Sequence, residues 1–188
     1  MLAISGSLRE GSHNSALLEA AREALPADHG LEVFDALAPV PPYSPDDDVD
    51  PAPAAVQRLR EAIAGADALL IATPEYNSSL PGQLKNAIDW ASRPFPDNVL
   101  RGKPAAVVGA TTGRFGAVWA QAEARKTLGA AGARVLDRDL PVGLAAHAFA
   151  PDGSLVDDAL GERLRDLLSE LADEVEKTAV GATEAVRA

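Results

Sequence analysis

Ala68-Leu69-Leu70-Ile71-Ala72 and Ala105-Ala106-Val107-Val108-Gly109-Ala110 are short runs without a polar side chain, and nothing in the chain restricts its fold more. A strand with one wet face alternates apolar and polar residues. A strand apolar at every position is covered on both faces, the condition of a parallel sheet between two helix layers. The rest of the chain supplies such layers. Leu2-Ala3-Ile4 reads as a short first strand, and a helix follows, beginning near Ser12 to Ser15, with Leu17, Ala21, Ala24 and Leu25 on one face. Pro26 ends that helix, since its ring removes the next backbone donor. Leu31 to Phe34 reads as a second strand, and Val56, Leu59 and Ile63 mark the next helix, with Gly65 placed as its C-cap.

Pro81 suits the first turn of a third helix, whose apolar side is Leu84, Ala87, Ile88 and Ala91. An alanine-rich helix spans about Ala117 to Ala130, and Val135-Leu136 lies in a weaker last strand. Leu160, Leu164, Leu167, Leu168, Leu171 and Val175 form the clearest amphipathic helix. Val40 to Pro53, with five prolines and four aspartates, reads as a loop. This alternation predicts a three-layer, flavodoxin-like α/β fold: a five-stranded parallel sheet of order 2-1-3-4-5 with helices on both faces. It predicts one domain over 1–180 and a frayed tail over 181–188. In such a sheet, ligands bind where the winding reverses, at the carboxyl ends of strands one and three.

A formal charge of −11 and a pI near 4.6 argue against nucleic-acid and anionic-membrane partners, which need concentrated Lys and Arg. No apolar run approaches the roughly 18 residues that span a bilayer, and Met1-Leu2-Ala3-Ile4-Ser5-Gly6 lacks the basic start of a secretory signal, so a cytoplasmic protein is expected. With no cysteine, thiol nucleophiles, disulfides and thiolate metal sites are ruled out. His13, His29 and His147 are far apart in sequence and form no metal-binding motif. The patterns of phosphate-binding P-loops, nucleophile elbows and dinucleotide fingerprints are all absent, which points to chemistry carried by a bound cofactor.

Two loops fall at the expected crevice. Ser5-Gly6-Ser7-Leu8-Arg9-Glu10-Gly11-Ser12-His13-Asn14-Ser15 follows strand one and opens a helix. A helix N-terminus carries free N–H groups and partial positive charge, hydroxyls add donors, and a guanidinium meets two phosphate oxygens at once. In a chain of charge −11, only such local donors can hold an anion. The same Ser and Asn residues equally suit helix capping. Thr73-Pro74-Glu75-Tyr76-Asn77-Ser78-Ser79-Leu80-Pro81-Gly82 follows strand three, and its prolines stiffen a turn that presents main-chain N–H groups. Gly109 to Gly116, after strand four, is glycine-rich but also fits an ordinary strand-to-helix turn.

Gly6-Ser7-Leu8-Arg9 with Ser12 and Asn14 resembles the phosphate loop of the NAD(P)H-dependent FMN reductases. Pro74-Glu75-Tyr76-Asn77 through Pro81-Gly82, continuing into Leu84-Lys85-Asn86-Ala87-Ile88-Asp89-Trp90, resembles that family's flavin loop and helix. The resemblance implies bound FMN, with hydride passing from NADPH or NADH to flavin N5 and on to a small acceptor: a quinone, an azo compound, free flavin or a metal oxyanion. It implies that Ser7, Arg9, Ser12, Asn14 and Ser15 hold the FMN phosphate, that Pro74, Glu75, Tyr76 and Asn77 line the isoalloxazine mainly through main-chain groups, and that Thr111 and Gly113 form the far wall. No side chain takes a catalytic role, and Arg114 is a candidate partner for the nicotinamide nucleotide's phosphate. A homodimer or homotetramer is implied, with Trp90 and Trp119 as candidate interface residues that equally suit a core. The family usually has Ser-Pro-Gly-Gly where this chain has Thr111-Thr112-Gly113-Arg114. The rival expectations are a non-enzymatic flavodoxin-type electron carrier and a small hydrolase using Ser5 or Ser7.

Overall fold

The computed structural model describes the backbone of residues 1–187 and the side chains up to 178. The main strands are β1 (Leu2–Ser5), β2 (Glu32–Phe34), β3 (Leu69–Ala72) and β4 (Pro104–Ala110). The helices are α1 (His13–Ala24), α2 (Ala54–Ala64), α3 (Gly82–Ala91), α4 (Val118–Ala130) and α5 (Asp158–Arg187). The expected tail over 181–188 falls where side chains, and at 188 the backbone too, lie outside the described residues.

The sheet is parallel, and its order 2-1-3-4-5 agrees with the pattern-based expectation. Its far edge differs. Instead of one fifth strand there are two short pieces, β5 (Arg134–Val135) and β6 (Pro141–Val142), each parallel to β4. Between them, Asp137-Arg138-Asp139 leaves the ladder, and Arg138 pairs with Glu170 on α5 at 2.7 Å. A charged triplet is cheaper to leave in water than to bury in a strand, so the edge strand is interrupted there.

Successive residues of each strand point to opposite sides of the sheet, and the apolar runs divide accordingly. Leu2, Ile4, Leu69, Ile71, Ala105 and Val107 face a core shared with α2, α3 and α4. Ala3, Leu70, Ala72, Ala106, Val108 and Ala110 face a second core shared with α1 and α5. The leucine stripe of α5 is buried in that second core through Leu164, Leu167, Leu168 and Leu171.

The Pro/Asp-rich segment is pinned down by one face of α3. Gln83 donates to the carbonyls of Leu37 and Val40, Asn86 exchanges bonds with Tyr43 and Pro41, and the Trp90 indole N–H donates to the Pro41 carbonyl at 2.8 Å. Trp90 is fully buried with Tyr43 edge-on to its ring, so it belongs to the core and is removed from the list of interface candidates. Among the described residues, no helix is long and apolar enough to cross a membrane.

Candidate functional site

The carboxyl ends of β1, β3 and β4 meet because glycine lets their backbones approach. Gly6 N–H donates to the Ala72 carbonyl at 2.8 Å, and a Cβ on Gly6 would stand 2.9 Å from Leu84 of α3. A Cβ on Gly109 would lie 2.9 Å from both the Thr73 carbonyl and the Ala117 side chain. The loops leaving these strands therefore lie side by side at one end of the sheet, the place the winding order predicts for a ligand.

The first loop carries a hydroxyl cluster. Ser5 Oγ donates to the Ser7 carbonyl at 3.2 Å and accepts from Ser7 N–H at 3.3 Å, while the Ser15 hydroxyl lies 3.4 Å from it. Arg9 folds over its own loop, donating to the carbonyls of Glu10 (3.0 Å) and Gly11 (2.8 Å). Gly11 sits at φ 59, the left-handed region that lets the chain turn into α1.

Two of the expected phosphate ligands are already engaged. Ser12 is the N-cap of α1, its hydroxyl accepting from Asn14 N–H at 3.2 Å. Asn14 is buried, and its amide both donates to the Ala110 carbonyl and accepts from Ala110 N–H, each at 3.0 Å. That pair binds the first turn of α1 to the last residue of β4. Of the other expected ligands, Arg9 is held by its own loop's carbonyls and the Ser15 hydroxyl by Ser5, both exposed, while the Ser7 N–H is taken by the Ser5 hydroxyl.

The second loop is a tight hairpin turn. Tyr76 and Ser79 exchange main-chain bonds at 3.0 and 3.1 Å, with Asn77 at φ 53 and Ser78 at φ 59. Positive φ at both central residues is the signature of a type I′ turn, and asparagine is among the residues that tolerate it. Pro74 is buried at the base of this turn. Glu75 turns to α4, its carboxylate accepting from the N–H groups of Trp119 (3.1 Å) and Ala120 (3.2 Å). Ala117, which precedes α4, has no side-chain cap of its own, so Glu75 caps this helix from outside. Ser79 adds a second tie through its hydroxyl to Glu123.

The third loop is laced to the edge of the sheet. Thr111 N–H donates to Val142, its carbonyl accepts from Ala145, and the Gly113 carbonyl accepts from Leu144. Thr111 Oγ1 accepts from Gly113 N–H at 3.4 Å. A Cβ on Gly116 would come within 2.4 Å of Pro141, and one on Gly143 within 2.4 Å of the Arg114 carbonyl, so both contacts are backbone against backbone. Arg114 is exposed. Phe115 and Trp119 are also exposed, edge to face at 5.2 Å, and Tyr76 is exposed as well.

Sequence reasoning missed the bracing partners Ala110 and Glu123. No local signal marks a main-chain group or a helix-surface glutamate for such a task. It also placed Ser5 at a strand end, where the structure makes its hydroxyl the centre of the serine cluster. Neither Ser5 nor Ser7 has a histidine partner: His13 stacks parallel to Phe149 and bonds to neither. A serine hydrolase finds no base here.

The family model described as NADPH-dependent FMN reductase matches residues 1–147. An NAD(P)H-dependent FMN reductase of Pseudomonas aeruginosa is 46% identical over 172 residues, covering 91% of this chain and 92% of the relative. A quinone reductase of Escherichia coli is 33% identical over 178 residues, with 93% and 94% covered. Among solved structures, the flavoenzyme NAD(P)H:(acceptor) oxidoreductase FerB of Paracoccus denitrificans superposes with a TM-score of 0.82 at 36% identity, over 94% of this chain and 96% of that one.

Proposed function

The chain belongs to the NADPH-dependent FMN reductase family, and from that premise we propose that it binds FMN and passes electrons from NADPH or NADH to a small acceptor such as a quinone, an azo compound, free flavin or a metal oxyanion. The donor set fits FMN. A helix N-terminus beside hydroxyls and a guanidinium is built for a phosphate monoester, and a stiff turn a few residues long offers main-chain groups to a planar ring. FMN supplies the redox chemistry when bound, and the protein supplies binding, orientation and electrostatics.

Each residue then has a task. Ser7, Ser15 and the first N–H groups of α1 hold the phosphate, and Arg9 neutralises its charge. Ser12 and Asn14 fix the start of α1 against β4. Pro74 to Asn77 line the ring, Glu75 locking that loop to α4, while Thr111 and Gly113 close the far wall. Arg114, exposed at the rim, meets the phosphates of the nicotinamide nucleotide. The observation that carries this reading is the double clamp, Asn14 on Ala110 and Glu75 on α4, which ties three loops together at one end of the sheet.

The purified protein is expected to be yellow with an FMN-like spectrum, and anaerobic NADPH is expected to bleach it rapidly. A colourless protein that refuses added FMN overturns the reading. A yellow protein inert to both NADPH and NADH is an electron carrier instead. We further propose a cytoplasmic homodimer or homotetramer, supported by the exposed aromatic pair of Phe115 and Trp119. Sedimentation as a monomer at working concentration removes the oligomer.

A further inference from the structure

An open groove of about 510 Å³ lies between α3 and α4 at the carboxyl ends of both helices. Crossover helices run antiparallel to the strands, so this groove is at the opposite end of the sheet from the serine loop. Lys85, Arg93, Arg101 and Lys126 line it against a single carboxylate, Asp89, in a chain whose net charge is −11. Lys85 and Asp89 pair at 2.7 Å, which leaves three cations.

Those three are not matched by carboxylates. Arg93 Nε donates to the Tyr43 hydroxyl at 3.0 Å and Arg101 Nε to the Pro96 carbonyl at 2.6 Å, both neutral acceptors. Among the described residues, none of the three is in an ion pair. Asp48 and Asp89 act on Arg93 only at longer range. The helix C-termini do attract cations, but each carries roughly half a negative charge, so two ends account for about one of the three. Phe95, 72% exposed, stands at the same lip and offers a flat apolar face.

We propose that this groove binds the phosphate monoester of a nucleotide, with the dianion on Arg93, Arg101 and Lys126 and the base against Phe95. The phosphate has two possible sources: a free nucleotide, or the 2′-phosphate of NADPH. Only the second rests on the reductase reading. α3 is 10 residues long, about 15 Å, a length comparable to an extended dinucleotide lying along it.

The test titrates FMN-saturated protein with adenosine 2′,5′-bisphosphate and with adenosine 5′-monophosphate by calorimetry, in the wild type and in R101E and K126E. Both side chains are exposed, so the variants are expected to fold and keep their bound-FMN spectrum. Saturable binding that weakens at least about tenfold in each variant supports the site, as loss of one charge-assisted contact requires. If the variants also raise KM for NADPH but not for NADH, the coenzyme is the source. If nucleotide binding falls while both KM values hold, a separate nucleotide is. No saturable binding, or binding equally tight in the variants, overturns the proposal. Refusal of FMN sinks the reductase reading instead, and the same titration on the FMN-free protein, read by the same variants, still decides the groove.

Discussion

Arg9, in the loop after β1, and Asn14, in the first turn of α1, sit five residues apart and have opposite roles. Arg9 is exposed and bonded only to carbonyls of its own loop, so removing it frees no buried group. Arg9→Ala is expected to weaken FMN binding by about 1.5–3 kcal/mol, the range of a charge-assisted bond, while leaving the unfolding of the FMN-free protein unchanged. A dissociation constant equal to wild type contradicts the assignment. Asn14 is buried and satisfies both polar groups of Ala110. Asn14→Ala leaves that N–H and carbonyl without partners, which costs about 1–3 kcal/mol per unsatisfied group, so urea unfolding of the FMN-free protein is expected to shift clearly. If Asn14→Ala unfolds like wild type and loses only FMN, then Asn14 is a ligand after all.

Helix α4 lacks a local cap and takes one from the β3 loop, which couples the stability of an element to the geometry of the turn proposed to bind the ring. Glu75→Ala is expected to cost about 0.5–2 kcal/mol, as loss of an N-cap does. Glu75→Gln keeps an acceptor and forfeits only the charge–dipole part, about 0.3–1 kcal/mol. Urea midpoints should therefore fall in the order Glu, Gln, Ala, and an alanine variant as stable as wild type rules out the cap. The turn it supports has its own demand. Asn77 at φ 53 cannot be proline, whose ring holds φ near −65°, so Asn77→Pro destroys the turn and cannot report on its donors separately. In the next loop, Gly116→Ala combines positive φ with a Cβ 2.4 Å from the Pro141 backbone. It is expected to destabilise by more than the roughly 1–3 kcal/mol of φ strain alone, because neither backbone has room to yield. A melting temperature equal to wild type refutes that crowding.

At the scale of the molecule, a charge of −11 opposes every anion the protein is proposed to take up. In the proposed site, local donors hold the phosphate once it arrives, but the long-range field acts on its approach. Raising ionic strength from about 0.01 M to about 0.15 M shortens the screening length from about 30 Å to about 8 Å. Association of FMN with the FMN-free protein is therefore expected to speed up with salt, opposite to the usual behaviour of a cationic binding site. Stopped-flow rates that fall over this range would show that the local positive potential of the serine loop governs the approach.

Local pattern determined the winding of this chain. Runs such as 68–72 and 105–110 have a composition tolerable only between two helix layers, and the right-handed crossover then leaves few orders for the strands. The place where the loops meet follows from that order, and the motifs at 5–15 and 73–82 point to the occupants proposed for it. What the residues do there depends on contacts between distant parts of the chain. Asn14 meets Ala110 across 96 positions, Glu75 meets α4 across 44 and 45, and Trp90 meets Pro41 across 49. An asparagine beside a helix start suits a ligand or a strut equally well, and a tryptophan on a helix suits a core or an interface. Periodicity reports which way a side chain faces along its own element. Only the folded chain decides which partner stands opposite, because that partner is brought there by the packing of every element between them.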